Sequence, residues 1–234
     1  MRDFFKLKKH TKLQIDEDTP ITDIQYVVID TELTGLNERK DSIISIGAVR
    51  MSGTRIELAG SFHQLVKPGT EFRPKSVVVH EITPSDVLEK PNIDSILSEF
   101  MQFCDEDIIV GHCVSIDLCF INREMKRIVG STLQNPVIDT YKIFEWLRRK
   151  VPSRTCFSSS QQNSSLYEIA KCFSIAVRGA HNALVDAFIT AQLLQRFMPV
   201  LIEIGVNHIG GLLEIGHPVE GGDKHNVSGE ISNF

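Results

Sequence analysis

The sequence predicts an α/β fold in which a mixed sheet carries helices on its faces. Three strand-like segments come first, at residues 25–31, 42–51 and 55–66, and short strands then alternate with helical patterns. This order of elements is typical of a mixed sheet flanked by helices. Because residues 26–29 are continuously apolar, the first strand is expected at the centre of the sheet.

The remaining elements follow from turn signals and periodicity. The second and third strands are expected to form a hairpin that turns at Ser52-Gly53. The later predicted elements are a helix at 92–104, a strand at 107–111, a helix at 115–129, a strand at 136–138, and helices at 140–149, 164–172 and 182–198. Residues 152–165 are rich in Ser and Gln and form either a flap near a site or a surface insertion.

Length and composition predict one domain with extensions. We divide the 234 residues into a charged leader (1–20), one main globular domain (21–200) and a Gly-rich C-terminal tail (201–234). The tail is expected to bind a partner protein. Hydrophobic residues make up 42% of the chain, which is enough to build a full core.

Several features predict a cytoplasmic protein with no membrane contact. No apolar run approaches the roughly 20 residues that span a bilayer, and residues 1–6 lack the apolar core of a signal peptide. The five cysteines show no Cys-x-x-Cys spacing and are expected to be reduced thiols.

A net charge of −5 argues against a large nonspecific nucleic-acid surface, which would need many Lys and Arg contacts to phosphates. Basic residues do cluster at 123–127 and at 148–154. These clusters either flank a substrate path or are solvated helix faces.

Two acidic residues end the first strand, and they carry the strongest chemical signal. In a strand, residues i and i+2 point to the same face, so Asp30 and Glu32 present their carboxylates side by side. Like charges held this close repel one another, and burial raises the cost. A divalent cation would remove that cost, although acidic pairs also arise by chance in a chain with 30 Asp and Glu residues.

Further along the chain, two more segments place polar residues beside apolar helix faces. Asp117 lies in the first turn of a predicted helix, where an acid is favourable without any function. Asp186 lies at the edge of a stripe of small residues that lets its helix pack close to a sheet. His181 is five residues earlier, so it belongs in the preceding loop or first turn, where it is either a bystander or leans over a site.

Together these segments resemble the three motifs of the DEDDh family of DnaQ-like 3′–5′ exonucleases, which includes the proofreading subunit of bacterial DNA polymerase III. The first motif is Asp30-x-Glu32 followed by Thr34-Gly35-Leu36. The second places Asp117 after Gly-His-Cys, and the third is His181-x-Ala183-x-x-Asp186-Ala187. The resemblance covers residues 21–198.

The resemblance implies a ribonuclease H-like fold and a two-metal phosphodiesterase that uses two Mg²⁺ or Mn²⁺ ions. Asp30 would bridge both ions, Glu32 and Asp186 would complete the site on the nucleophile side, and Asp117 would support the second ion through water. His181 would act as the general base. Carboxylate oxygens suit hard cations, and a near-neutral imidazole suits a base.

The resemblance also implies substrate contacts. Val79 and His80 would pack against the terminal bases, with little sequence preference, and Thr31 and Leu33 would approach the 3′ end.

Four positions depart from the family pattern. Glu81 stands where the family usually has Gly, Cys113 replaces a common Asn, Ile116 replaces a common Phe, and Leu33 stands where Thr is frequent. These departures bear on substrate preference and rate, not on the metal site. Asp139 is expected to cap a helix rather than to bind a metal.

These observations leave three hypotheses. The first is an exonuclease that releases nucleoside 5′-monophosphates from single-stranded DNA 3′ ends. The second is the same chemistry on RNA or short oligonucleotides, and the third is a non-catalytic nucleic-acid-binding module. A polymerase or repair protein is the expected partner of the C-terminal tail.

Overall fold

The computed structural model describes residues 15–70, 80–158 and 165–218. Their strands form one five-stranded sheet in the order β3-β2-β1-β4-β5, which confirms the central place predicted for the first strand. The strands are β1 (Gln25–Leu33), β2 (Ile43–Ser52), β3 (Arg55–Leu65), β4 (Ile108–Gly111) and β5 (Val137–Asp139). β1, β2 and β3 pair antiparallel, whereas β1, β4 and β5 pair parallel, so the sheet is mixed.

Helices cover both faces of this sheet, as expected for the predicted α/β class. They are α1 (Pro84–Val87), α2 (Ile93–Cys104), α3 (Ser115–Ile128), α4 (Thr140–Lys150), α5 (Leu166–Cys172), α6 (Ala183–Glu203) and α7 (Ile209–Ile215), with a 3₁₀ helix at Thr155–Phe157. Most bounds agree with the sequence analysis within two residues. The exception is α6, which continues to Glu203 rather than ending at 198.

The hairpin between β2 and β3 turns where the sequence analysis placed it. Gly53 adopts a left-handed φ of 55°, a conformation that glycine reaches without steric cost. A Cβ atom at this position would lie 1.9 Å from the carbonyl oxygen of Thr22. The turn therefore requires glycine for two independent reasons.

Alternating residues of β1 feed two separate hydrophobic cores, as the period of a strand requires. Tyr26 and Val28 join one core with apolar residues of α4, α5, α6 and α7. Val27 and Ile29 join the other with residues of α2 and α3. β1 is buried on both sides, so its position at the centre of the molecule is fixed.

Helix α6 lies unusually close to the sheet. Ala183, Ala187 and Ala191 are fully buried, which confirms the small-residue stripe as a packing face. A Cβ atom on Gly47 of β2 would lie 2.2 Å from backbone atoms of Ala183 and Leu184. The start of α6 therefore rests directly on β2 next to the end of β1.

Among the described residues, α6 is also the one helix long and apolar enough to cross a bilayer. Of its most apolar stretch, 61% is buried inside the protein. This is the behaviour of the central helix of a packed domain.

The structure corrects the predicted boundary of the C-terminal tail. Residue 201 lies inside α6, and the following helix α7 buries Ile209 and Leu212 in the core. A Cβ atom on Gly210 would lie 2.9 Å from Glu17, and one on Gly216 would lie 2.7 Å from Ile138. The glycines that indicated a tail therefore serve close packing, and residues 219–234 lie outside the described residues.

Only the second part of the predicted leader, from residue 15 on, lies within the described residues. Residues 1–14 lie outside the described residues, whereas Ile15 packs partly buried against the core. Pro20 forms an antiparallel bridge with His208 beside α7, and Ile21 is fully buried. The segment that leads into β1 is thus part of the packed domain.

Candidate active site

The site begins with two carboxylates at the end of the central strand. Asp30 lies opposite Gly47 of β2 and Glu32 lies opposite Ser45, so both belong to the face on which α6 rests. The pairing shifts register immediately after Glu32. Such a bulge re-aims side chains at a strand end.

Helix α6 adds the third carboxylate. Because its first residues sit over Gly47, the first turn of α6 carries Asp186 to the two acids of β1. Ligand oxygens of Asp30, Glu32 and Asp186 all lie within 4.8 Å of one another. The structure thus brings together three of the four predicted metal ligands in one cluster.

Asp117 approaches the cluster from the other face of the sheet. It is buried in the first turn of α3, and its Oδ1 accepts a 2.5 Å hydrogen bond from the hydroxyl of Thr31. Asp117 stands outside the set of three but is close enough for its charge to raise the pKa of both Asp30 and Glu32.

The electrostatics of the four acids show the cost of gathering them. Burial, then the charges of Asp186 and Asp117, raises the pKa of Glu32 to about 8. Burial raises the pKa of Asp117 to about 7 and that of Asp186 to about 6, and burial with its three acidic neighbours raises the pKa of Asp30 well above its ordinary value. Within residues 15–70, 80–158 and 165–218, no Lys or Arg pairs with these carboxylates.

The cluster fits a divalent metal ion. All its donors are carboxylate oxygens, which hard cations such as Mg²⁺ and Mn²⁺ prefer. The Oδ1 atom of Asp186 is buried and has no hydrogen-bond partner in the described part of the chain. A cation would satisfy that oxygen and remove the repulsion among the acids.

His181 lies in the loop before α6, as predicted, because α6 begins only at Ala183 and Asn182 is its N-cap. Its backbone adopts a left-handed φ of 60°, and its N–H donates to Asp186 Oδ2 over 3.1 Å. Burial lowers the pKa of its imidazole. The ring is therefore neutral at neutral pH and can accept a proton.

The residues predicted to contact substrate occupy different places. The side chains of Thr31 and Leu33 are buried on the face opposite Asp30 and Glu32, with the Thr31 hydroxyl bound to Asp117. His80 is buried, and its pKa is lowered by burial and by repulsion from His181, which places it near the site. Val79 lies outside the described residues, and all four substrate contacts stay predictions.

Two of the four departures from the family pattern fall at left-handed backbone positions. Glu81 has a φ of 57° and Cys113 a φ of 52°. Gly and Asn tolerate this region best, which gives a physical reason for the family's usual choice at each position. The N-cap prediction for Asp139 is confirmed, since its Oδ1 accepts the backbone N–H of Tyr141 over 2.9 Å.

One residue of the site escaped sequence analysis. The Tyr167 hydroxyl, in the first turn of α5, donates to Asp186 Oδ2 over 2.6 Å. Burial and the charge of Asp186 raise its pKa, so it is a protonated donor at neutral pH. No spacing or motif in the sequence links Tyr167 to Asp186, because only the packing of α5 against α6 brings them together.

The basic clusters predicted as possible substrate contacts are engaged in the fold. Arg123 donates to the carbonyl oxygens of Glu38 and Asp41 and pairs with Glu124. Arg148 pairs with Glu145 and Arg154 with Glu203. The structure thus favours a structural role for these arginines.

Comparison with known families decides the family to which this chain belongs. The RNase_T model, described as exonuclease, matches residues 27–194, a range that contains all four acids and His181. The chain belongs to this exonuclease family. The predicted exonuclease class is thereby confirmed, and the protein is a nuclease. Together with the relatives and solved structures described below, this match also confirms the DnaQ-like identity and the ribonuclease H-like fold.

Relatives of this exonuclease include proteins named as DNA polymerase III. It is 35% identical over 184 residues to the DNA polymerase III subunit epsilon of Aquifex aeolicus, covering 79% of this chain and 84% of that protein. It is 29% identical over 206 residues to the PolC-type DNA polymerase III of Thermotoga maritima, covering 88% of this chain. The match spans only 14% of that much longer polymerase.

Solved structures share the fold of this exonuclease. Exonuclease X in complex with 5′ overhanging duplex DNA has a TM-score of 0.59 and 24% identity, covering 82% of this chain and 99% of that one. The zinc-bound E. coli exonuclease I–ssDNA complex has a TM-score of 0.62 and 16% identity, covering 77% of this chain and 42% of that one. At these identities the likeness concerns the fold.

Proposed function

We propose that this exonuclease removes nucleotides from the 3′ end of single-stranded DNA in a reaction that depends on Mg²⁺ or Mn²⁺. The observation that carries the proposal is the convergence of Asp30, Glu32 and Asp186 within 4.8 Å. Such a cluster costs stability unless a cation fills it. Its assembly from two segments that are far apart in the sequence, β1 and the start of α6, supports a metal centre.

The resemblance to the family assigns each acid a role. Asp30, whose pKa is raised by burial and by the charges of the other three acids, would serve both ions, and Glu32 and Asp186 would complete one ion site. Asp117, which lies outside the set of three, would support the second ion through water. Two bound ions would activate a water molecule and stabilise the attacking and leaving oxygens of an in-line displacement.

His181 would accept the proton of the attacking water at a ring nitrogen. Its pKa is lowered by burial, so the imidazole is available as a base at physiological pH. The hydrogen bond from its backbone N–H to Asp186 ties the base to a metal ligand. Base and ligand therefore keep a fixed relation during the reaction.

Support for DNA as substrate comes from the relatives. The Aquifex aeolicus and Thermotoga maritima proteins are named as parts of DNA polymerase III, and the two structural neighbours hold DNA. We also propose that this exonuclease is cytoplasmic. Residues 219–234 would bind a DNA polymerase as its partner. Pull-down of a bacterial polymerase III catalytic subunit by the chain with and without those residues tests this binding.

A paired degradation assay tests the central proposal. The full chain is incubated with matched single-stranded DNA and RNA oligomers labelled at the 5′ end, over a titration of Mg²⁺ and of Mn²⁺. We expect stepwise shortening of DNA from its 3′ end, with release of nucleoside 5′-monophosphates, and no reaction in EDTA. Faster RNA shortening would reassign the substrate, and inertness on both with either metal would refute the proposal.

A further inference from the structure

We propose that Tyr167 is a positioning residue of the metal centre, whose hydroxyl holds one oxygen of Asp186 and leaves the other oxygen for a cation. The inference rests on the metal-dependent function proposed above. It assigns a role to a residue that no motif of the sequence identified.

The two oxygens of Asp186 have opposite surroundings. Oδ2 accepts hydrogen bonds from the Tyr167 hydroxyl over 2.6 Å and from the backbone N–H of His181 over 3.1 Å. Oδ1 is buried and has no hydrogen-bond partner in the described part of the chain. Two donors on one oxygen fix the rotation of the carboxylate, so the bare oxygen is the one available to a metal ion.

Tyr167 also supports the loop that carries the proposed base. The backbone N–H of His181 donates to the Tyr167 hydroxyl over 2.8 Å. The two rings meet edge-on, with centroids 5.0 Å apart and an interplanar angle of 82°. A left-handed φ of 60° at His181 costs free energy for a residue with a Cβ atom, and these contacts help to hold it.

One side chain therefore links a metal ligand to the base. Hydrogen-bond partners of metal ligands orient those ligands, and their loss typically weakens metal binding by about 10- to 100-fold. Because Tyr167 acts through its contacts with Asp186 and His181, its effect is expected in metal affinity first. The rate at saturating metal is expected to fall less.

The test compares Tyr167→Phe with Tyr26→Phe. Tyr167→Phe keeps the ring against His181 and removes only the hydroxyl. Tyr26→Phe removes the hydroxyl of a different tyrosine, which is fully buried and lies four positions before Asp30 on β1. That hydroxyl donates to the carbonyl oxygen of Ile21 over 2.8 Å. Mn²⁺ dissociation constants are measured on the full chain by electron paramagnetic resonance of free Mn²⁺.

We expect Tyr167→Phe to bind Mn²⁺ about 10- to 100-fold more weakly, with activity partly restored by added Mn²⁺. Tyr26→Phe should melt at a lower temperature while binding Mn²⁺ as the parent does. The rise in melting temperature on adding Mn²⁺ is a second readout for a variant with a less stable fold. It should be smaller for Tyr167→Phe.

Equal Mn²⁺ affinity of Tyr167→Phe and the parent, or equal weakening by both Tyr→Phe changes, would overturn the positioning role and leave the proposed function standing. A parent chain that does not bind Mn²⁺ would overturn the proposed function itself. The two failures are thus distinguishable.

Discussion

Two buried glutamates of this protein have nearly the same exposure and opposite surroundings. Glu32 is 8% exposed and Glu124 is 9% exposed. Around Glu124, Arg123 and Arg127 donate to its two oxygens over 2.7 and 2.8 Å. Around Glu32 the charged neighbours are Asp186 and Asp117, which raise rather than relieve its electrostatic cost.

Under the proposed function, the difference separates a structural acid, Glu124, from a metal-binding one, Glu32. The arginines neutralise Glu124, and Arg123 also binds the loop between β1 and β2 through the carbonyl oxygens of Glu38 and Asp41. No residue in the described part of the chain neutralises Glu32. Burial alone therefore does not distinguish Glu32 from Glu124, whereas the presence or absence of a counter-charge does.

The largest expected effect comes from making the same change at both positions. Glu32→Gln should lower the rate by more than about 100-fold, because losing a metal ligand should cost more than losing the hydrogen-bond partner of a ligand, while the metal-free fold becomes no less stable. Glu124→Gln should lower the free energy of unfolding by about 1–3 kcal/mol, because charged partners lose their acceptor, with little change in rate. Exonuclease assays and denaturant unfolding in EDTA measure both effects.

A Glu124→Gln chain that loses activity while folded, or a Glu32→Gln chain that loses stability without metal, would show that the two acids do not divide their roles in this way.

Replacing His181 should separate proton transfer from metal binding within the site. His181→Ala should lower the rate by about 10²- to 10⁴-fold, the usual contribution of a general base. Mn²⁺ affinity should change little, because the backbone N–H that binds Asp186 remains. Loss of Mn²⁺ binding to the same extent as in Glu32→Gln would instead make His181 a ligand.

A smaller effect is expected in the dependence of stability on pH. The folded-state pKa values of Glu32, Asp117 and Asp186, about 8, 7 and 6, lie above the ordinary values near 4. Their contribution is therefore most favourable below about pH 4 and is lost as the pH rises toward 8. Without metal, the parent should lose stability relative to Glu32→Gln between pH 5 and pH 8.

Melting curves of the parent, Glu32→Gln and Glu124→Gln in EDTA at several pH values measure this effect. Added Mn²⁺ should restore the parent selectively at pH 8. Parallel pH profiles for parent and Glu32→Gln would contradict the electrostatic account of the cluster.

The last prediction, with the least effect, concerns backbone strain. Cys113, close in sequence to Asp117, has a left-handed backbone, whereas Glu124 lies on a regular helix. Cys113→Asn should raise the free energy of unfolding by up to about 1 kcal/mol, because Asn tolerates the left-handed region better than Cys. Denaturant unfolding of the parent and Cys113→Asn checks the size and sign. A destabilised Cys113→Asn chain would mean that the thiol makes contacts worth more than the strain.

Much of the fold was predictable because local chemistry determined it. The apolar run in β1 indicated a central strand, and the Ser52-Gly53 turn indicated the hairpin. The alanine stripe of α6 indicated the face that packs on the sheet. Each is a property of neighbouring residues, so sequence patterns report it directly.

The tail prediction shows where that reasoning fails. Gly210 and Gly216 in sequence indicate flexibility, yet in the structure they admit the close approach of Glu17 and Ile138. A glycine looks the same in sequence whether its missing side chain gives freedom or makes room. The partner of each contact lies far away along the chain, so only tertiary packing distinguishes the two cases.

For the site, sequence patterns were enough to propose which residues carry the chemistry, because the strand period places Asp30 and Glu32 on one face and the motif resemblance points to Asp117, His181 and Asp186. How these residues meet depends on tertiary packing. The contact of α6 with Gly47 sets where Asp186 lies, and the packing of α5 gives that acid a tyrosine partner. Residue type and local spacing are encoded locally, whereas the distance between carboxylates depends on how whole elements pack.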